Sequence, residues 1–400
     1  MMPNYATATM ALLLLVGGFY RHERQKKEYQ SLEKEEMMKR ESEKATSQKL
    51  VCYYKLEGNY SYRLQPEDID PNLCTHLIAG FADTRYDLIV PRSADHIDGY
   101  KRCLDLKNRN QDLKVLLSIG ATSGGRFSKM INYQTGRERF IHSVIYFIEK
   151  YPFDGLDFDW EFPAWEGGPI TDKINFITLL KDLRQVFEKM KKPFLLTVAV
   201  AAREPIISTS YDIPALAEVV DFVNLLSYDF HYYHPGLSYT HHHSALYRRP
   251  SSTGHHFTLN VDMVARYWSL SGMPRKKIMI GISTHAQTFN LASTYAHGID
   301  APAKGPGLGF GRLPYSKVCY FLQSRAHRIF DIFARVPYAY KGHQWMSFDD
   351  EESVAEKAKW VKRNSFGGIM TYNLNNDDWQ MKCNNETSFP LHRTIADIFK

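Results

Sequence analysis

Cysteine is scarce, five in 400 residues. That is too few and too scattered for a fold stapled by disulfides, and no Cys-x-x-Cys pair offers a zinc site. Charge of one sign is not concentrated either. The 50 Lys and Arg are interspersed among 44 Asp and Glu for a net charge of +6, so no basic stripe tracks a phosphate backbone and no nucleic-acid partner is expected. A span of about twenty apolar residues is missing as well. The run from Met10 to Tyr20 is apolar apart from glycine; its length suits a signal-peptide core, but basic residues follow it (Arg21, Arg24, Lys26, Lys27) rather than precede it. Residues 1–20 therefore read as a signal peptide or a short anchor. Residues 21–49 carry sixteen charges of both signs and no apolar stripe, the pattern of a solvated spacer.

From Leu50 onward, short apolar runs alternate with amphipathic segments, as parallel strands crossed by helices do. Eight runs centre on residues 51–54, 76–81, 115–119, 155–159, 195–200, 222–227, 278–282 and 368–371. Ile174, Ile177, Leu180, Leu183, Phe187 and Met190 recur every three to four residues between the fourth and fifth runs, predicting a helix with one buried face that Pro193 stops. The fold class expected is α/β, a (β/α)8 TIM barrel over residues 50–400 with chemistry at the strand ends. Residues 284–349 are too long for a loop and are rich in Gly, Pro and aromatics, so they predict a small α+β insertion between strand seven and its helix. The run Gly305-Pro306-Gly307-Leu308-Gly309-Phe310-Gly311 follows no strand and opens no helix, which excludes a phosphate-binding loop.

The segment with most chemistry is Tyr151 to Pro163, which holds Asp157, Asp159 and Glu161 two residues apart. On a strand, that period of two sends all three carboxylates to one face while Leu156, Phe158, Trp160 and Phe162 take the other. Neighbouring carboxylates on that face stand roughly 6 to 7 Å apart, so they do not all ionise cheaply. A solvated acidic edge strand would explain the charges but not the Phe, Trp and Phe between them. The carboxylates read as catalytic, although no second strand offers a further carboxylate to act with them.

Asp154-Gly155-x-Asp157-x-Asp159-x-Glu161 resembles the signature of the family-18 glycoside hydrolases, the chitinases and chitinase-like lectins. The likeness runs in order through Leu50-Val51-Cys52-Tyr53, Leu73-Cys74-Thr75-His76-Leu77-Ile78, Leu117-Ser118-Ile119-Gly120, Tyr228-Asp229-Phe230-His231 and Phe366-Gly367-Gly368-Ile369-Met370. What the resemblance implies is hydrolysis of chitin or N-acetylglucosamine oligomers assisted by the substrate's own acetamido group. Glu161 would then be the proton donor, Asp159 the partner of the acetamido nitrogen, Asp157 a carboxyl sharing a proton behind it, and Tyr228 the donor to the acetamido oxygen. Tyr53, Phe81, Trp160, Asp229, Met370 and Tyr372 would line the sugar site. The resemblance also implies the disulfides Cys52–Cys74 and Cys319–Cys383; Cys103 is left over and reads as a buried free thiol rather than an intermolecular partner, since cysteine is among the most buried residue types. It implies no cofactor or metal, and a monomeric, secreted protein. The sequons Asn59-Tyr60-Ser61 and Asn385-Glu386-Thr387 agree with an oxidising, secretory compartment.

Departures from the family pattern concentrate on the aromatic sugar platforms. Gly120-Ala121-Thr122 replaces Gly-Gly-Trp, Glu57 and Tyr372 replace Trp, and His285 and Gln287 stand in a Tyr-x-Arg pattern. These changes should weaken or reshape binding while sparing proton transfer. Family lectins usually lack the acid that Glu161 supplies, which favours an enzyme over a carbohydrate-binding relative with little turnover; an inhibitor or structural role would predict no sugar affinity at all. His241, His242, His243, His255 and His256 lack helical ligand spacing and read as a solvated loop near the cleft rather than a metal site.

Overall fold

The computed structural model describes residues 48–400 other than 57–62, 121–123, 191, 253 and 384–385. Residues 1–47, Asn59 and Asn385 of the sequons, Glu57, and Ala121 with Thr122 lie outside the described residues. Eight parallel strands close a (β/α)8 barrel: β1 (Lys49–Lys55), β2 (His76–Arg85), β4 (Lys114–Gly120), β5 (Gly155–Asp159), β6 (Leu195–Val200), β7 (Phe222–Leu225), β8 (Ile278–Ser283) and β15 (Gly368–Tyr372). A short strand, β3 (Leu88–Pro91), folds back antiparallel on β2. Because β1 pairs with both β2 and β15, the barrel has no free edge.

Strand parity decides what lies inside. Val51, Tyr53, Ile78, Phe81, Leu116, Phe222, Met279 and Met370 pack together as the barrel interior. Their neighbours one residue along, such as Cys52, Tyr54, Leu77 and Leu117, belong to the larger core between strands and helices. The same alternation turns Asp157 and Asp159 inward and Leu156, Phe158 and Trp160 outward, where the rings of Phe127 and Phe176 meet them. Gly120 ends β4 at φ 129°, and a Cβ there would lie 2.1 Å from the Asp159 carbonyl oxygen, so a side chain would push apart the two strand ends that frame the carboxylates.

Asp154 is scaffold. It is 3% exposed beneath β5 and accepts bonds from Lys107 and Lys192 and from the Val115 N–H at 2.9 Å. Burial opposes its charge, but the two ammonium groups and the N–H hold its carboxyl below the usual range.

The helix after β5 spans Asp172–Glu188, and its buried stripe differs from the periodic reading. Phe176, Ile177, Leu179, Leu180, Leu183 and Phe187 are buried, whereas Ile174 is exposed. The Phe176 ring, packed on Phe158 and Trp160, sets the helix rotation and turns Ile174 to solvent.

Between β8 and the helix Glu351–Arg363 lies a separate antiparallel sheet of β9 (His285–Leu291), β10 (Ala303–Pro306), β11 (Arg312–Pro314), β12 (His327–Asp331), β13 (Val336–Lys341) and β14 (Gln344–Ser347), with the helix Tyr315–Gln323. Its order is β10-β9-β14-β13-β12, with β11 also on β9. The disulfide Cys319–Cys383 ties its helix to the carboxyl-terminal segment, and Cys52–Cys74 joins β1 to the approach of β2. Cys103 is free and buried. The last helix, Pro390–Phe399, is latched to β15 by Thr371 Oγ1, His392 and Asp377, all fully buried, a chain of hydrogen bonds that holds the helix on the barrel.

Candidate active site

At the carboxyl ends of the barrel strands lies a cavity of about 400 Å³. Of the residues expected at the site, Asp159, Glu161, Tyr53, Tyr228, Asp229 and Tyr372 line it. Asp157, Phe81 and Met370 lie deeper, in the barrel interior. Trp160 does not join them. It shares the outward parity of Leu156 and Phe158, and its indole stacks on Phe127 at 5.4 Å, so its expected role in the carboxylate cavity is corrected to core packing.

Asp157 is completely buried, and four donors fill its oxygens. Tyr53 and Ser118 hydroxyls donate to Oδ2, each at 2.7 Å, and Thr197 at 2.6 Å and Asn224 at 3.1 Å donate to Oδ1. Burial raises its pKa, and those four bonds work the other way. No hydrogen bond joins Asp157 to Asp159 among the described residues, so a proton shared between them, expected from sequence, has no bond to travel along here. Asp157 instead organises the interior polar cluster that supports the site.

Asp159 is the uncompensated member. Its Oδ1 has no hydrogen-bond partner among the described residues, and burial, then the charge of Glu161, then that of Asp157 push its pKa well up. Glu161 is raised too, by burial and by the Asp229 charge, with Arg312 opposing. Protein crowds Glu161, yet its side chain is open to solvent in the cleft, so water screens part of that shift. The two carboxyls titrate as a pair that resists losing both protons. Tyr228, Tyr372 and Tyr53 wall the cavity, with Tyr228 and Tyr372 stacked at 6.3 Å and Tyr53 tilted against Tyr372 at 5.7 Å. Burial, followed by nearby charges, keeps all three hydroxyls protonated; Tyr372 is pushed up to about 12.

Asp229 follows at φ 54°, a left-handed backbone that asparagine and aspartate tolerate better than most residues. Its Oδ1 accepts from His243 Nδ1 at 3.2 Å, His285 Nε2 at 2.9 Å and Gln287 Nε2 at 2.8 Å, and its Oδ2 pairs with Arg312. Burial works against its charge, but His285, His243 and Arg312 outweigh burial and hold the carboxyl well below the ordinary range. Burial pushes His243 down as well, so at neutral pH it donates as a neutral imidazole and Arg312 is the permanent cation. Arg312 was not anticipated from the sequence. Register explains it: on β11 it sits directly across from Gln287 on β9, so the guanidinium missing from the Tyr-x-Arg position arrives from the opposing strand.

Asp229, His243 and His285 present three ligand atoms within 4.8 Å of one another. Both Asp229 oxygens are already filled by donors, one of them a guanidinium, which describes a satisfied carboxylate better than a cation site. The other histidines correct the expectation of a solvated loop. His241, His242 and His256 are buried, with His241 stacked on His256 at 3.7 Å and His242 Nε2 at 3.1 Å from Asp331. Burial first, then neighbouring imidazoles, push His241 down to about 2. Arg203, Trp165 and Tyr232 also line the cavity without having been anticipated; nothing in their sequence context distinguishes them from other loop residues.

Comparison with known proteins places this geometry. The sequence profile described as Glycosyl hydrolases family 18 matches residues 49–377. Chitotriosidase-1 of Mus musculus is 37% identical over 366 residues, 87% of this chain and 77% of that protein. Chitinase-3-like protein 2 of Homo sapiens is 35% identical over 367 residues, 87% of this chain and 91% of that protein. Among solved structures, an immunomodulatory active chitinase from Trichuris suis superposes with a TM-score of 0.83 at 32% identity, covering 88% of this chain and all of its own. Human YKL-39, described as a pseudo-chitinase with retained chitooligosaccharide binding properties, superposes at 0.82 with 34% identity, covering 88% of this chain and 99% of its own.

Proposed function

This chain belongs to glycosyl hydrolase family 18, and on that premise we propose that it is a secreted enzyme that hydrolyses β-1,4 bonds between N-acetylglucosamine units with retention, using the substrate's acetamido group as nucleophile. The observation that carries this reading is the solvent-open Glu161 beside a buried Asp159, whose Oδ1 has no partner among the described residues, in a tyrosine-walled cavity.

With the reacting sugar over Asp159, Tyr228 and Tyr372, its acetamido N–H would meet the Asp159 carboxyl. That bond favours an ionised Asp159 and leaves the pair's proton on Glu161. Glu161 gives this proton to the glycosidic oxygen, the bond from that oxygen to the anomeric carbon breaks, and the acetamido oxygen forms the new bond to carbon. The resulting oxazolinium charge lies against the Asp159 carboxylate. Water then attacks the anomeric carbon, Glu161 takes its proton, and the acetamido group is released.

A second reading is a chitooligosaccharide-binding relative with little turnover. What favours it is the set of replaced platforms, with Tyr372, His285 and Gln287 where the family pattern has Trp, Tyr and Arg, and the likeness to YKL-39. An assay with a fluorogenic chitobioside on wild type and Glu161→Gln separates the two. The hydrolase reading expects turnover that Glu161→Gln abolishes while oligosaccharide affinity stays within about tenfold. Equal inactivity of both proteins with sugar binding intact would transfer the assignment to the binding protein.

A further inference from the structure

The carboxylate cavity is not the only opening at Glu161. A second cavity of about 650 Å³ lies on the other side of the loop after β5 and shares Glu161, Phe162, Trp165 and Glu166 with the first. Trp165 is half-buried in the partition. The loop is held in place: Ala164 and Glu166 sit at φ 58° and 50°, Gly167 at 88°, and Asp172 Oδ2 accepts from the Ala164 N–H at 3.4 Å and from the Ser128 hydroxyl. The second cavity mixes aromatic surface with uncharged and charged polar groups, among them Tyr133, 65% exposed, Asn132 and Lys129. Ser128 and Thr171 add hydroxyl-bearing side chains to its wall. Aromatic faces beside polar side chains, at this volume, are the composition of a small-molecule pocket, and a sugar with its apolar C–H face and hydroxyl edge fits it.

We propose that the second cavity seats the sugar units on the leaving-group side of the scissile bond, with Trp165 as their stacking platform. This rests on the reading of Glu161 as the acid, and follows from its position. The oxygen that Glu161 protonates lies between the reacting sugar and the next one, so the next units extend past Glu161 from the first cavity toward the second. The chain has thus placed an aromatic platform on this side of the acid, whereas the platforms of the family pattern are replaced at Tyr372 and Glu57. Length selectivity is the consequence: oligomers that reach Trp165 are held better than those that fill only the site over Asp159.

The test uses full-length Glu161→Gln protein, so that binding is read without hydrolysis, and calorimetry with N-acetylglucosamine oligomers of increasing length from the dimer upward. Adding Trp165→Ala is expected to weaken binding of the longest oligomers roughly three- to tenfold and of the dimer less than about twofold, and Trp165→Tyr should recover most of the loss. Tyr133→Ala, at an exposed position that leaves the partition intact, should give a smaller loss with the same dependence on length and decides the matter if Trp165→Ala does not fold. Losses equal at every length, or no loss in any variant, overturn the proposal. If Glu161→Gln protein binds no oligomer of any length, the assignment to N-acetylglucosamine polymers falls, and this inference with it.

Discussion

Three acidic residues of one short motif do different work because their surroundings differ. Asp157 is satisfied by four neutral donors, Asp159 keeps a buried oxygen with no partner among the described residues, and Glu161 is exposed at the cleft. Asp154, from the same motif, sits at the opposite end of its strand, bound to two lysines. Asp154→Asn should therefore cost about 2 kcal/mol of stability, the scale of a hydrogen bond to a charged group, while leaving kcat per folded molecule unchanged; urea unfolding beside an activity assay checks both. The alternation of carboxylates with aromatics could be read from the sequence because a strand's period of two needs no tertiary information. Which carboxylate would be satisfied could not, since the donors to Asp157 come from β1, β4, β6 and β7. Trp160 shows the cost of setting parity aside: its outward position was already implied by Leu156 and Phe158.

At the scale of elements, the eight barrel strands were legible because each is an apolar run buried on both faces. The insertion announced itself only by length and composition, and its register was hidden. Pairing of β11 with β9 brings Arg312 opposite Gln287, so the counter-charge of Asp229 is supplied from a residue twenty-five positions further along. Arg312 is 53% exposed, and water screens its pair with Asp229, so the bond is worth about 0.5 to 1 kcal/mol. Arg312→Gln should lower oligosaccharide affinity roughly two- to fivefold through a less well held Asp229. It should also move the alkaline limb of the kcat/KM profile to higher pH, because removing a nearby cation raises the pKa of Glu161. Returning the guanidinium across the strand pair, Arg312→Gln with Gln287→Arg, should recover both. A double variant no better than the single one would mean that the cation's strand matters and not only its charge.

For the whole molecule, the histidines decide the response to acid. His76 is pushed down to about 4 and His241 to about 2, in each case chiefly by burial, and burial lowers His242 and His243 as well. Each such imidazole stays neutral in the folded chain but takes a proton when unfolded below about pH 6.5. The unfolded state then binds more protons, so their contribution is complete above pH 6.5 and is lost as pH falls, by up to about 1.4 kcal/mol per pH unit for each of His76 and His241. Asp157 and Asp159, whose raised pKa values act in the opposite direction, offset part of this as pH falls toward the ordinary carboxylate range. Comparison with His241→Gln removes that background: its midpoint denaturant concentration should depend on pH between 4 and 6 less steeply than the wild type's, by about one proton. The reading of the cluster as a solvated loop missed this, since burial of a polar run is decided by what the inserted sheet lays over it. The chemistry at the carboxyl ends of the strands is tested most directly by the first-formed product. Proton NMR of chitotetraose during the opening minutes of hydrolysis should show new reducing ends as the β-anomer, equilibrating later to α, because attack by the acetamido oxygen and then by water inverts the carbon twice. An initial α-anomer, or no cleavage while the tetramer is bound, would contradict a retaining hydrolase driven by Glu161 and Asp159.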